Sequence, residues 1–338
     1  MKLLLGVVIV LAVSVTVVGA TWLYAGSQAL AQAASSADIP PKGALVLDDS
    51  NGAWFDRSLE VRGIQLVVAG AVGGQPAVPD IWAEKTAQMI KLLIDQTAPT
   101  ADKAAQDRMI ETLAGVPGTW HQGHQTGQRI GYGSGDDYKT NPLPDRGVRH
   151  YKGYQAWLDR TVHDDMVWYM NPDSLFKGDD DIVEIMEHLL HTLHLFGVRG
   201  AVEGSVEALT WDDESADFRT KELWLAMKEA IDNKIFSVLD YGDGNPEGHL
   251  APLMMKEYMY LLNFSMWSFG KEFWDNGGSL APEWSDKART PNDVLKHNPL
   301  GHKLFLTYFD PVLTMPSVQT LRSMFKDNDG GKSGYIAD

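Results

Sequence analysis

The sequence predicts an α+β fold, with a small N-terminal sheet backed by a helix and a largely helical C-terminal half. Three observations carry this expectation. Residues 59–72 (LEVRGIQLVVAGAV) are apolar and β-branched, as a buried strand requires. Residues 80–95 place Ile81, Met89, Leu92 and Leu93 near helical spacing. From residue 181 onward, helical patterns follow one another without intervening strands, so strand and helix segregate rather than alternate.

Taken in order, Gly73, Gly74 and Pro76 end the first strand, and a helix follows from Asp80. A second helix starts at Thr100 or Asp102 and closes at Gly115. Residues 116–153 form a long region rich in glycine, turn residues and aromatics, of a length that often carries function. MVWYM at 166–170 has the composition of a short strand. Residues 181–197 make a helix with a capping-box-like start at Asp181 and Glu184 and Gly197 as its C′ residue. Further helices are expected over 218–234 and 253–269, and at the Pro-containing starts Thr290-Pro291, Asn298-Pro299 and Pro316-Ser317.

The composition is that of a globular protein: 338 residues, 44% hydrophobic and 22% charged. Residues 1–31 are expected to be a signal peptide or signal anchor. Lys2 precedes an apolar run over 3–20, and Ala29-Leu30-Ala31 resembles a cleavage site. Residues 32–50 are a linker, 51–326 a single α+β domain of catalytic type, and 327–338 a flexible acidic tail. The expectation is an exported protein, periplasmic or secreted, touching a membrane only if the N-terminal segment stays uncleaved. A formal charge of −16 sets nucleic acid aside as a partner. The absence of cysteine excludes disulfides, thiolate nucleophiles and Cys-zinc sites.

The densest chemistry lies in DIVEIMEHLLHTLHLFG, residues 181–197. Three of the ten histidines, His188, His191 and His194, are spaced three apart, with Glu184 and Glu187 just before them. A helix turns about 100° per residue, so these five side chains fall within an arc of about 120°. The remaining circle carries Val183, Ile185, Met186, Leu189, Leu190, Leu193 and Phe196. One face suits a core; the other is built of metal-ligand types. Ligands on adjacent turns of one helix share a side at i,i+3 or i,i+4. Glu184/His188, His188/His191, His191/His194 and Glu187/His191 all qualify. The preferred set is His188 with His191, or Glu184 with His188, leaving Glu187 as general base or supporting group. A further ligand is sought downstream, with Glu207 or Glu257 favoured over Glu203, Glu247 and His249. The competing reading is an amphipathic helix whose histidines are merely its polar face.

Glu184-x-x-Glu187-His188 resembles the HxxEH pattern of inverzincins, with glutamate in place of the first histidine. The order of elements over residues 59–197, namely strand, backing helix, loop-rich region, edge strand and active helix, is similar to a zincin N-terminal half. That resemblance implies a zincin-like middle and a zinc hydrolase, a metallopeptidase by class, in which Glu187 or Glu184 activates a metal-bound water. Its substrate would be a peptide or other small polymer. The alternative function is a non-catalytic exported binding or surface protein whose His-rich helix is structural.

Other groups carry weaker signals. His121-x-x-His124 in the glycine-rich region is expected to be a solvated turn rather than a ligand pair. Tyr132, Tyr138, Tyr151 and Tyr154 make that region aromatic and supply a hydroxyl to an oxyanion if one of them faces the site. Asp164-Asp165, Asp179-Asp180-Asp181 and the Asp327–Asp329 stretch give calcium a weak claim. Trp267, Trp274 and Trp284 are expected to pack in the core.

Overall fold

In a computed structural model of the chain, the residues described are 45–47, 55–71, 76–132, 154–169, 179–211, 217–242, 244–274 and 281–325. The leader, the linker but for its residues 45–47, and the acidic tail lie outside them. So do the residues around Tyr138 and Tyr151 and the side chains of Tyr132 and Tyr154. No helix among the described residues is long and apolar enough to cross a membrane.

The fold is mixed α and β around one six-stranded sheet. Strands β1 (Val46–Leu47), β2 (Phe55–Val61) and β3 (Ile64–Ala69) are antiparallel neighbours. The single strand expected over 59–72 is thus one arm and part of another in a hairpin. Its turn is Arg62-Gly63, both in left-handed backbone (φ 50° and 81°), the conformation a two-residue hairpin needs to match strand twist. A Cβ at Gly63 would also sit 2.5 Å from the Ile110 carbonyl oxygen, so the position admits only glycine.

From β3 the chain crosses through α1 (Asp80–Leu93) and α2 (Lys103–Leu113), close to the expected bounds, into β4 (Gln125–Tyr132). β4 runs parallel to β3, pairing Gln65 with Gly127 and Val68 with Ile130. α3 (Tyr154–Arg160) then leads to β5 (Thr161–Val162) and β6 (Met166–Tyr169), both parallel to β4. The expected clean segregation of strand and helix therefore does not hold in the N-terminal half, where helical crossovers join parallel strands. β4 was hidden in the glycine-rich region because it has neither alternation nor β-branched richness. Gly127 lies against the Trp157 ring, which fills the space a side chain would occupy. Gly127→Ala is accordingly expected to cost about 1–3 kcal/mol through overpacking. A urea midpoint shifted down at unchanged slope is the measurement that checks it.

The C-terminal half is helical, as expected. α4 (Asp179–Thr192) continues without a break into a π-helical segment, Leu193–Val198. Its start differs from the capping-box expectation. The helix begins at Asp179, whose carboxylate takes Arg322 at 2.7 Å, and Asp181 is fully buried in the first turn. After α5 (Ser205–Ala208) and α6 (Glu222–Asp232) comes α7 (Ala251–Met266), nearly all of it buried. α8 (Pro291–His297), α9 (Pro299–Leu304) and α10 (Val318–Met324) follow, with Thr290 and Ser317 capping α8 and α10. Trp267, Trp274 and Trp284 are core residues, and Trp274 stacks on Phe264 at 5.1 Å.

Candidate metal centre

α4 presents its apolar face to the core: Ile182, Val183, Ile185, Met186, Leu189 and Leu190 are all buried, as is Leu193 at the start of the π-helical segment. Its opposite face is turned toward α7 and the start of β6, and there the polar residues meet partners from two distant segments. Two groups result, each with its ligand atoms within 4.8 Å of one another: Asp165/His188/His191 and Glu187/His191/Glu257. Either is close enough to hold a metal ion.

His191 belongs to both. Its side chain is fully buried, with Nε2 3.2 Å from Glu257 Oε2 and Nδ1 3.6 Å from Asp165 Oδ2. Neither ring nitrogen completes a hydrogen bond. Tyr260 sets its ring edge-on to the imidazole at 5.3 Å. His188 turns Nε2 to Glu184 Oε1 at 2.9 Å, one helical turn back, and leaves Nδ1 3.9 Å from Asp165 Oδ2. The cluster opens on one side, at Asp165, whose side chain is 43% exposed while the histidines are enclosed.

Asp165 is held from behind by the sheet. The Gln128 side chain on β4 donates to the Asp165 carbonyl at 2.9 Å and accepts from the Thr192 hydroxyl at 2.5 Å. Arg129 donates to the Asp164 carbonyl at 2.5 Å. One strand thus ties the Asp164-Asp165 backbone to the end of the histidine helix.

α7 supplies the opposite wall. Lys256, Glu257, Tyr260 and Asn263 recur at helical spacing in an otherwise apolar, buried helix, so each must find a polar partner or pay for desolvation. Lys256 Nζ contacts Asp165 closely, Asp164 Oδ2 at 3.1 Å and Glu257 Oε1 at 3.7 Å. Tyr241 donates to Glu283 Oε1 at 3.4 Å. Burial holds the Tyr241 hydroxyl far above its usual range, and the Glu257, Glu283 and Glu187 carboxylates add to this, so it remains a donor.

The charges are mutually dependent. Burial favours neutral imidazoles, but the Glu184 carboxylate beside His188 outweighs it and lifts that ring to about 9. Glu257 and Asp165 lift His191 to about 10 in the same way. Burial pushes Glu187 up to about 7, with His188 opposing and Glu257 adding. Burial would raise Asp165, yet His191 and Lys256 hold it well below the carboxylate range. Cationic partners likewise overcome burial at Glu257 and hold it low. Without an ion, then, the carboxylates draw protons onto the rings that a metal would otherwise displace.

The structure brings together Glu184, Glu187, His188, His191 and Glu257. It does not bring His194 or Glu207 to them. The π-helical turn beginning at Leu193 widens the helix and shifts the face, so His194 points into the core. There Nε2 lies 3.2 Å from Asn263 Oδ1 and the ring stacks on Phe309 at 4.4 Å, and burial depresses it to about 3. Glu207 sits on α5 and pairs with Lys221 at 2.8 Å. The His121 ring nitrogens lie 2.9 Å and 2.8 Å from the carbonyl oxygens of His124 and Phe196, so that histidine fastens its loop to the end of the site helix. Sequence reasoning missed the positions of Asp165, Lys256, Tyr241 and Glu283 in the cluster. The polar spacing along α7 was the available signal for Lys256. Neither the protein-family models, the curated proteins nor the solved structures contain a match to this chain.

Proposed function

We propose that the chain is an exported zinc-dependent hydrolase, a peptidase by class, with its metal held by Glu187, His191 and Glu257. The observation that carries this reading is His191. A fully buried imidazole with a carboxylate within 3.6 Å of each nitrogen, and neither nitrogen completing a hydrogen bond, matches a metal-ligating histidine backed by a carboxylate. Of the two groups, Glu187/His191/Glu257 is favoured because Asp165 already carries the Lys256 ammonium. Two carboxylates and one imidazole are an N/O donor set suited to zinc and leave a coordination position free. Calcium fits less well, since it draws six or more oxygens.

A bound zinc would supply the Lewis acid that activates water. Glu187 as a ligand leaves Glu184, ion-paired with His188 at 2.9 Å, to accept a proton. Asp165, 3.6 Å from Nδ1, would back the His191 ring by its charge. Tyr241 spends its one hydroxyl proton on Glu283 and takes no part in the reaction. Export rests on the apolar run over 3–20, and the peptidase class on the resemblance of Glu184-x-x-Glu187-His188 to the inverzincin pattern.

Zinc content after dialysis, followed by cleavage of a mixed peptide library with and without 1,10-phenanthroline, tests the proposal. One zinc per chain and phenanthroline-sensitive cleavage support it; no bound or bindable zinc defeats it. Asp165→Asn is expected to lower zinc affinity about 10–100-fold, the usual effect of losing a partner behind a ligand. Competition against a chromophoric chelator measures that change.

The alternative, a non-catalytic binding or surface protein, is favoured by the Glu184–His188 ion pair, whose charges meet at 2.9 Å without an ion. It predicts zinc-independent folding and no turnover.

A further inference from the structure

The Asp165/His188/His191 group has its ligand atoms close enough to hold a cation of its own. An ion there would meet His191 through Nδ1, while the first ion meets the same ring through Nε2. His188 Nδ1, buried and completing no hydrogen bond, would be its other nitrogen donor. Gln128 and Arg129 fix the Asp164-Asp165 backbone, so the carboxylates do not depend on a bound ion for their position.

A cation is nevertheless present. Lys256 Nζ touches Asp165 Oδ2, lies 3.1 Å from Asp164 Oδ2 and 3.7 Å from Glu257 Oε1, and its side chain is only 6% exposed. Three carboxylates converging on one enclosed ammonium is more negative charge than that ammonium neutralises. His191 also faces Asp165 and Glu257, so it is the loss of the ammonium that would leave the three carboxylates short of a positive charge for a divalent ion to supply.

We propose that Lys256 is a fixed second cation: its ammonium takes the charge and the place of a second metal ion and so holds the centre to one. The lysine is tethered to α7 and cannot be chelated away. By keeping Asp165 engaged, it also keeps that carboxylate behind His191 Nδ1 rather than on the metal. A single ion with a permanent positive neighbour has a constant composition whatever the zinc supply. The inference rests on the proposed zinc site at Glu187, His191 and Glu257.

The test counts zinc per folded chain by elemental analysis after equilibrium dialysis against excess zinc, using the full chain. The wild type should bind one ion. Lys256→Gln, which keeps the length but removes the charge, should bind two, and Lys256→Arg, which keeps the charge, should bind one. If the glutamine variant does not fold, Lys256→Met, whose apolar stem refills the same volume, takes the same count. Two ions in the wild type, or one in the folded neutral variants, overturns the inference while leaving the zinc site intact. No zinc in any of these proteins overturns the zinc site itself and this inference with it.

Discussion

His191→Ala is expected to abolish zinc binding and any hydrolysis that depends on it, the largest effect of a single substitution in this chain. His191 is the only nitrogen donor in the Glu187/His191/Glu257 group, and it is the residue both groups share. Losing a partner behind a ligand costs about 10–100-fold in metal affinity, and losing the ligand itself exceeds that. The substitution also strips the cationic or metal-bound partner from Glu257 and Asp165, which face the two ring nitrogens at 3.2 Å and 3.6 Å. Breaking a buried pair from one side costs about 3–5 kcal/mol, so part of the loss is structural. His191→Gln separates the two. It retains much of the volume and one polar contact, and should fold, by near-UV circular dichroism, while binding zinc no better than the alanine variant. Stoichiometric zinc in a folded His191→Gln protein would remove His191 from the site.

The second large effect is the pH dependence of stability and its coupling to metal. In the metal-free protein His188 and His191 are raised from 6.5 to about 9 and about 10. Groups raised on folding bind more protons in the native state, so their contribution is complete below 6.5 and lost as pH rises through 9 to 10. Glu187, raised from 4.5 to about 7, acts in the same direction over a lower window: the folded state is favoured below 4.5, and this advantage disappears as pH climbs through 7. Asp165 and Glu257, both depressed, act oppositely, and their contribution is lost only in acid. Lys256, lifted by Asp164, Asp165 and Glu257 against burial, remains charged throughout. Metal-free protein should therefore lose thermal stability steadily from neutral to alkaline pH. Zinc needs the deprotonated ligands, so its stabilisation should grow over that same range. At a hundredfold excess over Kd, zinc adds about 2.7 kcal/mol. A gain of that size raises the melting temperature by roughly 5 °C for a domain of this size. A zinc-induced shift that is flat or shrinking between pH 6 and 9, as scanned by differential calorimetry, would contradict the ligand assignment.

Much of the fold was legible because its signals are local. The boundaries of α1 and α2, the Pro-containing starts of α8, α9 and α10, and the strand at 166–169 follow from periodicity and capping within a few residues. β4 was not legible. Its two glycines are explained by what lies against them, Trp157 at Gly127 and Met166 with Trp168 at Gly131, all later in the chain. The hairpin at Arg62-Gly63 was overlooked although a charged residue and a glycine break the apolar run there, because the stronger stop at Gly73, Gly74 and Pro76 set the strand's end.

The candidate site divides in the same way. The sequence by itself determined that Glu184, Glu187, His188 and His191 share one face of a helix, because that depends only on 3.6 residues per turn. It also placed Glu257 among the candidates. Only the tertiary structure decided that Glu257 rather than Glu207 approaches, that Asp165 stands behind His191, and that Lys256 lies between the aspartates. Those choices are made by the packing of α7 and the start of β6 against α4, across separations of dozens of residues. His194 shows the limit most plainly: the wheel places it beside His191, but the backbone widens to a π-helix at Leu193 and carries its ring into the core.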